Sequence, residues 1–274
     1  MQSLENLFDI SGKKVLVTGG ASGIGLMMTE ALVDAGCTVY IASRKESALK
    51  SVADHFNQTG PGTVIPIVAD IATKEGTELL AKTLNEKLDH LDVLINNSGR
   101  SWGDTLENFP RDAWDKVLTL NVTAMADLTR LLLPLLEKNA SHADPARVIN
   151  VGSVMGTRPK ASISAENEEA AGTGAYSYVV SKAAVHHLTR MLSNELAARH
   201  ITVNAIAPGP FPSRMMRFAT DTEEKRKQTG STVPLGRVGE PEDVACLIRW
   251  LLSKGGGYIS GAIVPIDGGM SAMG

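Results

Sequence analysis

The chain has 274 residues, 43% of them hydrophobic and 21% charged, with a formal net charge of −3. That length can bury one large core without disulfides or a structural metal, and the near-neutral balance gives nucleic acid or an anionic membrane surface nothing to hold. The two cysteines, Cys37 and Cys246, are too few and too far apart for a zinc site or a disulfide framework, so both read as small buried hydrophobes in a reducing compartment.

From the start, Met1 to Ile10 carries Glu5 and Asp9 and no basic run, which is unlike a secretory signal and points to the cytoplasm. Short Val/Ile-rich runs bounded by Gly, Asp, Asn or Pro follow at Val15–Thr18, Val39–Ala42, Val64–Ala69, Val93–Asn96, Val148–Val151, Val203–Ile206 and Ala262–Pro265. Runs of this kind suit strands buried on both faces. Between them, helical periodicity covers Ile24–Ala35, Lys45–Asn57, Lys74–Leu88, Asp112–Glu137, Tyr176–Arg199 and Glu242–Leu252. Leu131–Leu136, flanked by Arg130 and Glu137, is too short to cross a bilayer. The expected fold is α/β: one domain over 1–274, with a doubly wound, mostly parallel sheet of about seven strands and helices on both faces. Two stretches break the rhythm, 158–174 and 209–233. The first has no apolar period, and the second is punctuated by prolines and carries the charge run Asp221–Lys227, read as a solvated helix face.

The first strand runs into Thr18-Gly19-Gly20-Ala21-Ser22-Gly23-Ile24-Gly25, and a helix follows. Gly19 permits the tight turn, Gly23 lets backbone approach a pyrophosphate, and Gly25 lets helix and strand pack closely. With Ser22 and Ile24, these residues form a candidate Rossmann-type dinucleotide site at a helix N-terminus. The second strand ends in Ser43-Arg44-Lys45, with no carboxylate before Glu46. A 2′-phosphate needs a cation there, so Ser43 and Arg44 favour NADPH over NADH, the alternative being that Arg44 is only a surface charge.

Tyr178 and Lys182 stand four residues apart at a helix start, hence on one face. A nearby ammonium favours the phenolate, so the lysine is expected to lower the tyrosine's pKa and make it a usable acid and base. Tyr-x-x-x-Lys alone is common by chance. Tyr176 lacks a lysine at the matching offset and reads as packing.

Taken together, these motifs resemble the short-chain dehydrogenase/reductase family from about Phe8 to Gly269. The glycine turn matches its Thr-Gly-x-x-x-Gly-x-Gly, and Asn121, Ser153, Tyr178 and Lys182 match its tetrad. The resemblance implies that Tyr178 protonates a ketone oxygen polarised by Ser153. Lys182 would bind the nicotinamide ribose, and Asn121 would hold a backbone kink and a water. Asp70 and Ile71 would contact adenine, Asn97, Ser98 and Gly99 would line the cofactor, and Pro208-Gly209 would turn beside the nicotinamide of NADPH or NADP+. Two departures stand out: Ser98 where the family usually has Ala, and 24 residues between Ser153 and Tyr178 where about a dozen are usual. The surplus, Pro159–Thr173 with its acidic cluster Glu166–Glu169, can be a lid or a plain exposed excursion.

A narrower similarity, carried by Ser101-Trp102-Gly103, by Pro145 to Asn150 and by Pro210 to Met215, is to the β-ketoacyl reductase branch linked to rhamnolipid synthesis. It implies a β-ketoacyl thioester or similar small-molecule ketone, with Trp102, Phe211, Met215 and Met216 as candidate apolar walls. The family also implies a homotetramer, one interface formed by Asp112–Glu137 and Tyr176–Arg199 and another by the C-terminal strand with Gly261–Gly269. Two rivals remain: an NAD-dependent alcohol dehydrogenase working oxidatively, and a non-catalytic dinucleotide sensor on the same fold.

Overall fold

The computed structural model describes residues 3–158 and 174–272. The proposed lid, Pro159–Thr173, and its acidic cluster lie outside them. Seven strands, β1 (Lys14–Thr18), β2 (Thr38–Ser43), β3 (Thr63–Val68), β4 (Val93–Asn96), β5 (Ala146–Val151), β6 (Ile201–Pro208) and β7 (Ile263–Ile266), form one sheet. All pairings are parallel, in the order β3-β2-β1-β4-β5-β6-β7. After β1 the chain winds outward to β3 and then returns to pair β4 with β1, which opens a crevice at the carboxyl ends of those two strands. Pro66 costs no ladder bond on the outer side of β3, because that strand is an edge.

The period-two alternation of each strand fills two cores. Val15, Val17, Val93, Ile95 and Ile149 face one side, where they meet α2 (Gly23–Asp34), α3 (Glu46–Thr59) and α11 (Pro241–Leu252). Leu16, Leu94, Val148 and Val203 face the other, against α4 (Lys74–Lys87), α6 (Ala124–Glu137) and α8 (Tyr176–Leu196). A buried polar ladder crosses this second interface. Asn96 Nδ2 donates to Thr129 Oγ1 on α6 (3.1 Å) and to Asn150 Oδ1 (3.0 Å), and Asn150 Nδ2 donates to Thr189 Oγ1 on α8 (3.0 Å). Among the described residues, no helix is long and apolar enough to cross a membrane.

Three expectations need correction. The helix expected over Asp112–Glu137 is broken: α5 (Arg111–Leu118) leads into a π turn, Thr119–Thr123, before α6. The stretch 209–233 is less irregular than its prolines suggested. It contains the short helix α9 (Arg217–Thr220) and α10 (Glu223–Ser231), whose charged face is solvated as expected. Cys246 is exposed, because the buried side of α11 is set by Val244, Ile248, Leu251 and Leu252, and residue 246 falls opposite. Cys37 is buried, and desolvation pushes its thiol up to about 12. One equivalent of a thiol reagent is therefore expected to react rapidly with the native protein and a second only after denaturation; two fast equivalents would contradict this burial.

Candidate active site

The chemistry-bearing residues gather at the carboxyl ends of β1, β4, β5 and β6. Thr18 joins the first two: its Oγ1 accepts from the backbone N–H groups of Asn97 and Ser98, both at 3.0 Å. Asn97 Nδ2 donates back to the Thr18 carbonyl at 2.8 Å. The glycines are steric requirements here. Gly19 has φ +70°, and a Cβ on Gly25 would collide with the Gly19 carbonyl and Asn97 Nδ2. Gly23 (φ +55°) leaves the mouth of the turn open, where a Cβ would stand 3.1 Å from Ser213 Cβ.

Ser22 caps α2 by position only, since its hydroxyl makes no capping bond. The first-turn N–H groups of Gly23, Ile24 and Gly25 have no intrahelical acceptor. Open glycines, uncommitted N–H groups and an uncommitted hydroxyl suit a pyrophosphate. Arg44 stands past the end of β2, 3.9 Å from Asp70 Oδ2 across a solvent-exposed gap. Asp70 Oδ1 caps its own turn by accepting from Ala72 N, and Ile71 is buried in the second core. Ser43 lies beside Arg44 at the strand end, and its Oγ accepts weakly from Lys45 N at 3.4 Å. At the far edge Gly209 N donates to Ile266 O, and a Cβ there would meet Asp267 Cα at 2.8 Å, so β6 turns tightly against the chain that follows β7.

Asn121 sits fully buried in the π turn. Its Oδ1 accepts from Arg100 N (2.9 Å) and its Nδ2 donates to Arg100 O (3.0 Å), so one amide satisfies both backbone groups of the loop after β4. Asn121 thus sits in a π turn, the kind of local widening that recurs at functional sites. Nδ2 also donates to Ser181 Oγ (2.9 Å), and that hydroxyl donates to Tyr178 O (2.7 Å). Ser181 was not singled out from the sequence, although its place three residues after Tyr178 puts it on the same helical side.

Ser153 lies two residues past the end of β5 and caps α7 (Val154–Thr157), accepting from Met155 N at 3.2 Å. Its O–H is left to donate, and Ser153 is the side chain whose hydrogen bonding opposes the effect of burial on the Tyr178 phenol. Lys182 is buried, and its Nζ donates to the Val151 carbonyl at 2.6 Å and lies 5.5 Å from the centre of the Tyr178 ring. Burial pushes the Lys182 ammonium down to about 8. The expectation that Lys182 lowers the Tyr178 pKa is not met: burial raises the phenol above its ordinary value, and the opposing influence is the Ser153 hydrogen bond. The ammonium is turned towards Val151 rather than the phenol oxygen. Tyr176 packs edge-on against Phe109, with ring centres 5.3 Å apart, in the packing role read for it.

The candidate walls divide. Trp102 and Met215 are exposed and Met216 is half-buried, and the loop carrying Trp102 is pinned by backbone bonds between Asp104 and Gly174. Phe211 is a core residue instead of an open wall. It is 2% exposed, and its ring occupies the space a Cβ would need at Gly239.

Residues 19–271 match the family model described as enoyl-(acyl carrier protein) reductase. The chain is 44% identical over 262 residues to the rhamnolipids biosynthesis 3-oxoacyl-[acyl-carrier-protein] reductase of Pseudomonas aeruginosa, covering 96% of this chain and 97% of that protein. It is 31% identical to the 3-oxoacyl-[acyl-carrier-protein] reductase FabG of Vibrio harveyi, covering 96% and 98%. Among solved structures, the Pseudomonas aeruginosa RhlG/NADP active-site complex superposes with a TM-score of 0.87 at 42% identity, covering 97% of this chain and 99% of that one. Likeness of that extent, in sequence and in backbone alike, makes this chain a member of the short-chain dehydrogenase/reductase family.

Proposed function

We propose that the protein is an NADPH-dependent reductase of β-ketoacyl thioesters, giving the secondary alcohol. The observation that carries this reading is the Ser153–Tyr178 hydroxyl pair beside a buried lysine, at the mouth of a sheet whose first turn suits a dinucleotide. When bound, the cofactor supplies hydride to the carbonyl carbon. The substrate oxygen then gains a proton from Tyr178, while Ser153 donates a hydrogen bond to the charge that develops on it. Burial raises the Tyr178 phenol above its ordinary pKa, so in the free protein it carries the proton that a general acid must give. Asn121 and Ser181 hold the loop after β4 and the first turn of α8 at fixed separation. Lys182, whose Nζ lies 5.5 Å from the centre of the Tyr178 ring, is the cation that would meet the ribose hydroxyls. The names of the relatives supply the thioester class.

Initial rates with a β-ketoacyl thioester, a matched enoyl thioester and compact cyclic or aryl ketones, each with NADPH and NADH, test the reading. Fastest turnover is expected with the β-ketoacyl thioester and NADPH. Preference for the enoyl thioester would replace the ketone reading. Tight NADPH binding without turnover on any member would favour the sensor. Arg44→Ala is expected to raise the KM for NADPH by about 10- to 100-fold, the value of a charge-assisted phosphate contact, and to leave NADH almost unchanged. Equal effects on both cofactors would reduce Arg44 to a surface charge.

We also propose a cytoplasmic homotetramer. Val180 and Met191 on α8 are apolar and exposed, as is fitting for helices that meet a second copy, and the edge strand β7 is only half-covered. Light scattering should return four times the 29.1 kDa chain mass, and a monomer would refute the assembly.

A further inference from the structure

Tyr178, Lys182 and a third residue, His186, follow one another at four-residue spacing along α8, so a single helical face presents all three. His186 is 4% exposed, and both its ring nitrogens have partners in the segment that carries Ser153. The backbone N–H of Ser153 donates to Nε2 at 3.4 Å, and Thr157 Oγ1 lies 3.4 Å from Nδ1. Since Nε2 must accept, the ring proton sits on Nδ1, where it can be donated to the Thr157 hydroxyl. Two glycines make room for the ring. A Cβ on Gly152 would collide with Nε2, and one on Gly156 would lie 2.8 Å from Cε1.

We propose that His186 is a positioning residue for Ser153: its neutral imidazole fixes the backbone of the serine from behind, so that the hydroxyl faces Tyr178. The proposal rests on the reductase reading above. Ser153 is extended (φ −169°, ψ 151°) and caps α7 with its own oxygen, so its side-chain direction follows from how its backbone is held. Both ends of α7 are engaged, Ser153 at one nitrogen and Thr157 at the other. The same rigid helix thus sets the proton donor, the lysine and the frame of the polarising hydroxyl. An imidazolium would turn an N–H against the Ser153 N–H. Burial, with the charges of Lys182 and Arg190, holds the ring's pKa down to about 4 and keeps the acceptor available.

Two variants separate this role from simple packing. His186→Leu keeps most of the volume and removes the acceptor, whereas His186→Gln can return an oxygen to the place of Nε2. Leu is expected to lower kcat by about tenfold, with NADPH affinity within about twofold of wild type, and Gln to recover to within about threefold. In a Ser153→Ala background His186→Leu should have almost no further effect on kcat, because the hydroxyl it positions is gone. An undiminished effect in that background, or an unchanged kcat in the single variant, would overturn the proposal. A readout independent of turnover comes from ¹⁵N NMR of the wild-type histidine at pH 7. It should show an unprotonated Nε2 and a protonated Nδ1, and the opposite tautomer would overturn the proposal even if the reductase reading stands. Absence of reductase activity in the wild type with the expected tautomer present would sink that reading and, with it, the catalytic purpose assigned to His186.

Discussion

Tyr178→Phe is expected to lower kcat for ketone reduction by about 10²- to 10⁴-fold, the usual worth of a positioned general acid, while NADPH affinity stays within about twofold. Phenylalanine keeps the ring and its packing on α8, so the change isolates the proton. The hydroxyl is the group that Ser153 acts on, and burial raises its pKa above the ordinary tyrosine value. Its loss leaves the developing alkoxide with one hydrogen bond, from Ser153, and no proton. Stopped-flow fluorescence for cofactor binding and steady-state rates for turnover check the two halves separately. A variant that retained more than about a tenth of wild-type kcat would place the proton donor elsewhere.

Lys182→Met is expected to do two opposite things, removing most turnover and stabilising the ligand-free protein at pH 7. Burying the ammonium lowers its pKa from 10.5 to about 8, equivalent to a cost of about 3 kcal/mol for keeping it charged inside. The folded pKa lies below the unfolded one, so between pH 8 and 10.5 the unfolded chain binds more protons and wild-type stability rises with pH. Below pH 8 both states are charged and the whole penalty is present. Methionine carries none of it, but strands the Val151 carbonyl that Nζ now satisfies, at about 1–2 kcal/mol. The net gain is about 1–2 kcal/mol at pH 7, a rise in Tm of a few degrees for a chain of this size, shrinking towards pH 10. Calorimetry at both pH values checks it. A gain that does not shrink would mean the charge is not what the fold resists, and a loss at pH 7 would mean the Val151 bond outweighs it.

The strands were legible because each is a short Val/Ile-rich run, the five inner ones buried on both faces, and the glycine turn because its steric demands admit few other residues. The pairing of Tyr178 with Lys182 follows from helical spacing. What the sequence hid is mostly long-range. The π turn at Thr119–Thr123 adds a residue to a helical pattern without erasing its apolar period, so α5 and α6 read as one helix. Phe211 is flanked by prolines and reads as part of an open loop, yet fills a space reserved by Gly239, a residue far along the chain. Cys246 was open to a better reading, since the outward side of α11 is visible from its own periodicity. His186 and Ser181 acquire meaning only when Ser153 and Asn121 are brought to them by the fold, and the rise in the Tyr178 pKa is a matter of burial that no spacing reports.

The ladder through Asn96, Asn150, Thr129 and Thr189 bears on how such a chain can change over time. Each rung uses up a hydrogen-bonding group of the next, and all four side chains are buried. Replacing one of the four by an apolar residue strands its neighbour at about 1–3 kcal/mol, a large share of a typical domain's stability, whereas replacing neighbours together costs far less. Descendants of this sequence should therefore alter these positions in concert or keep them all, while the exposed turns around them drift one residue at a time.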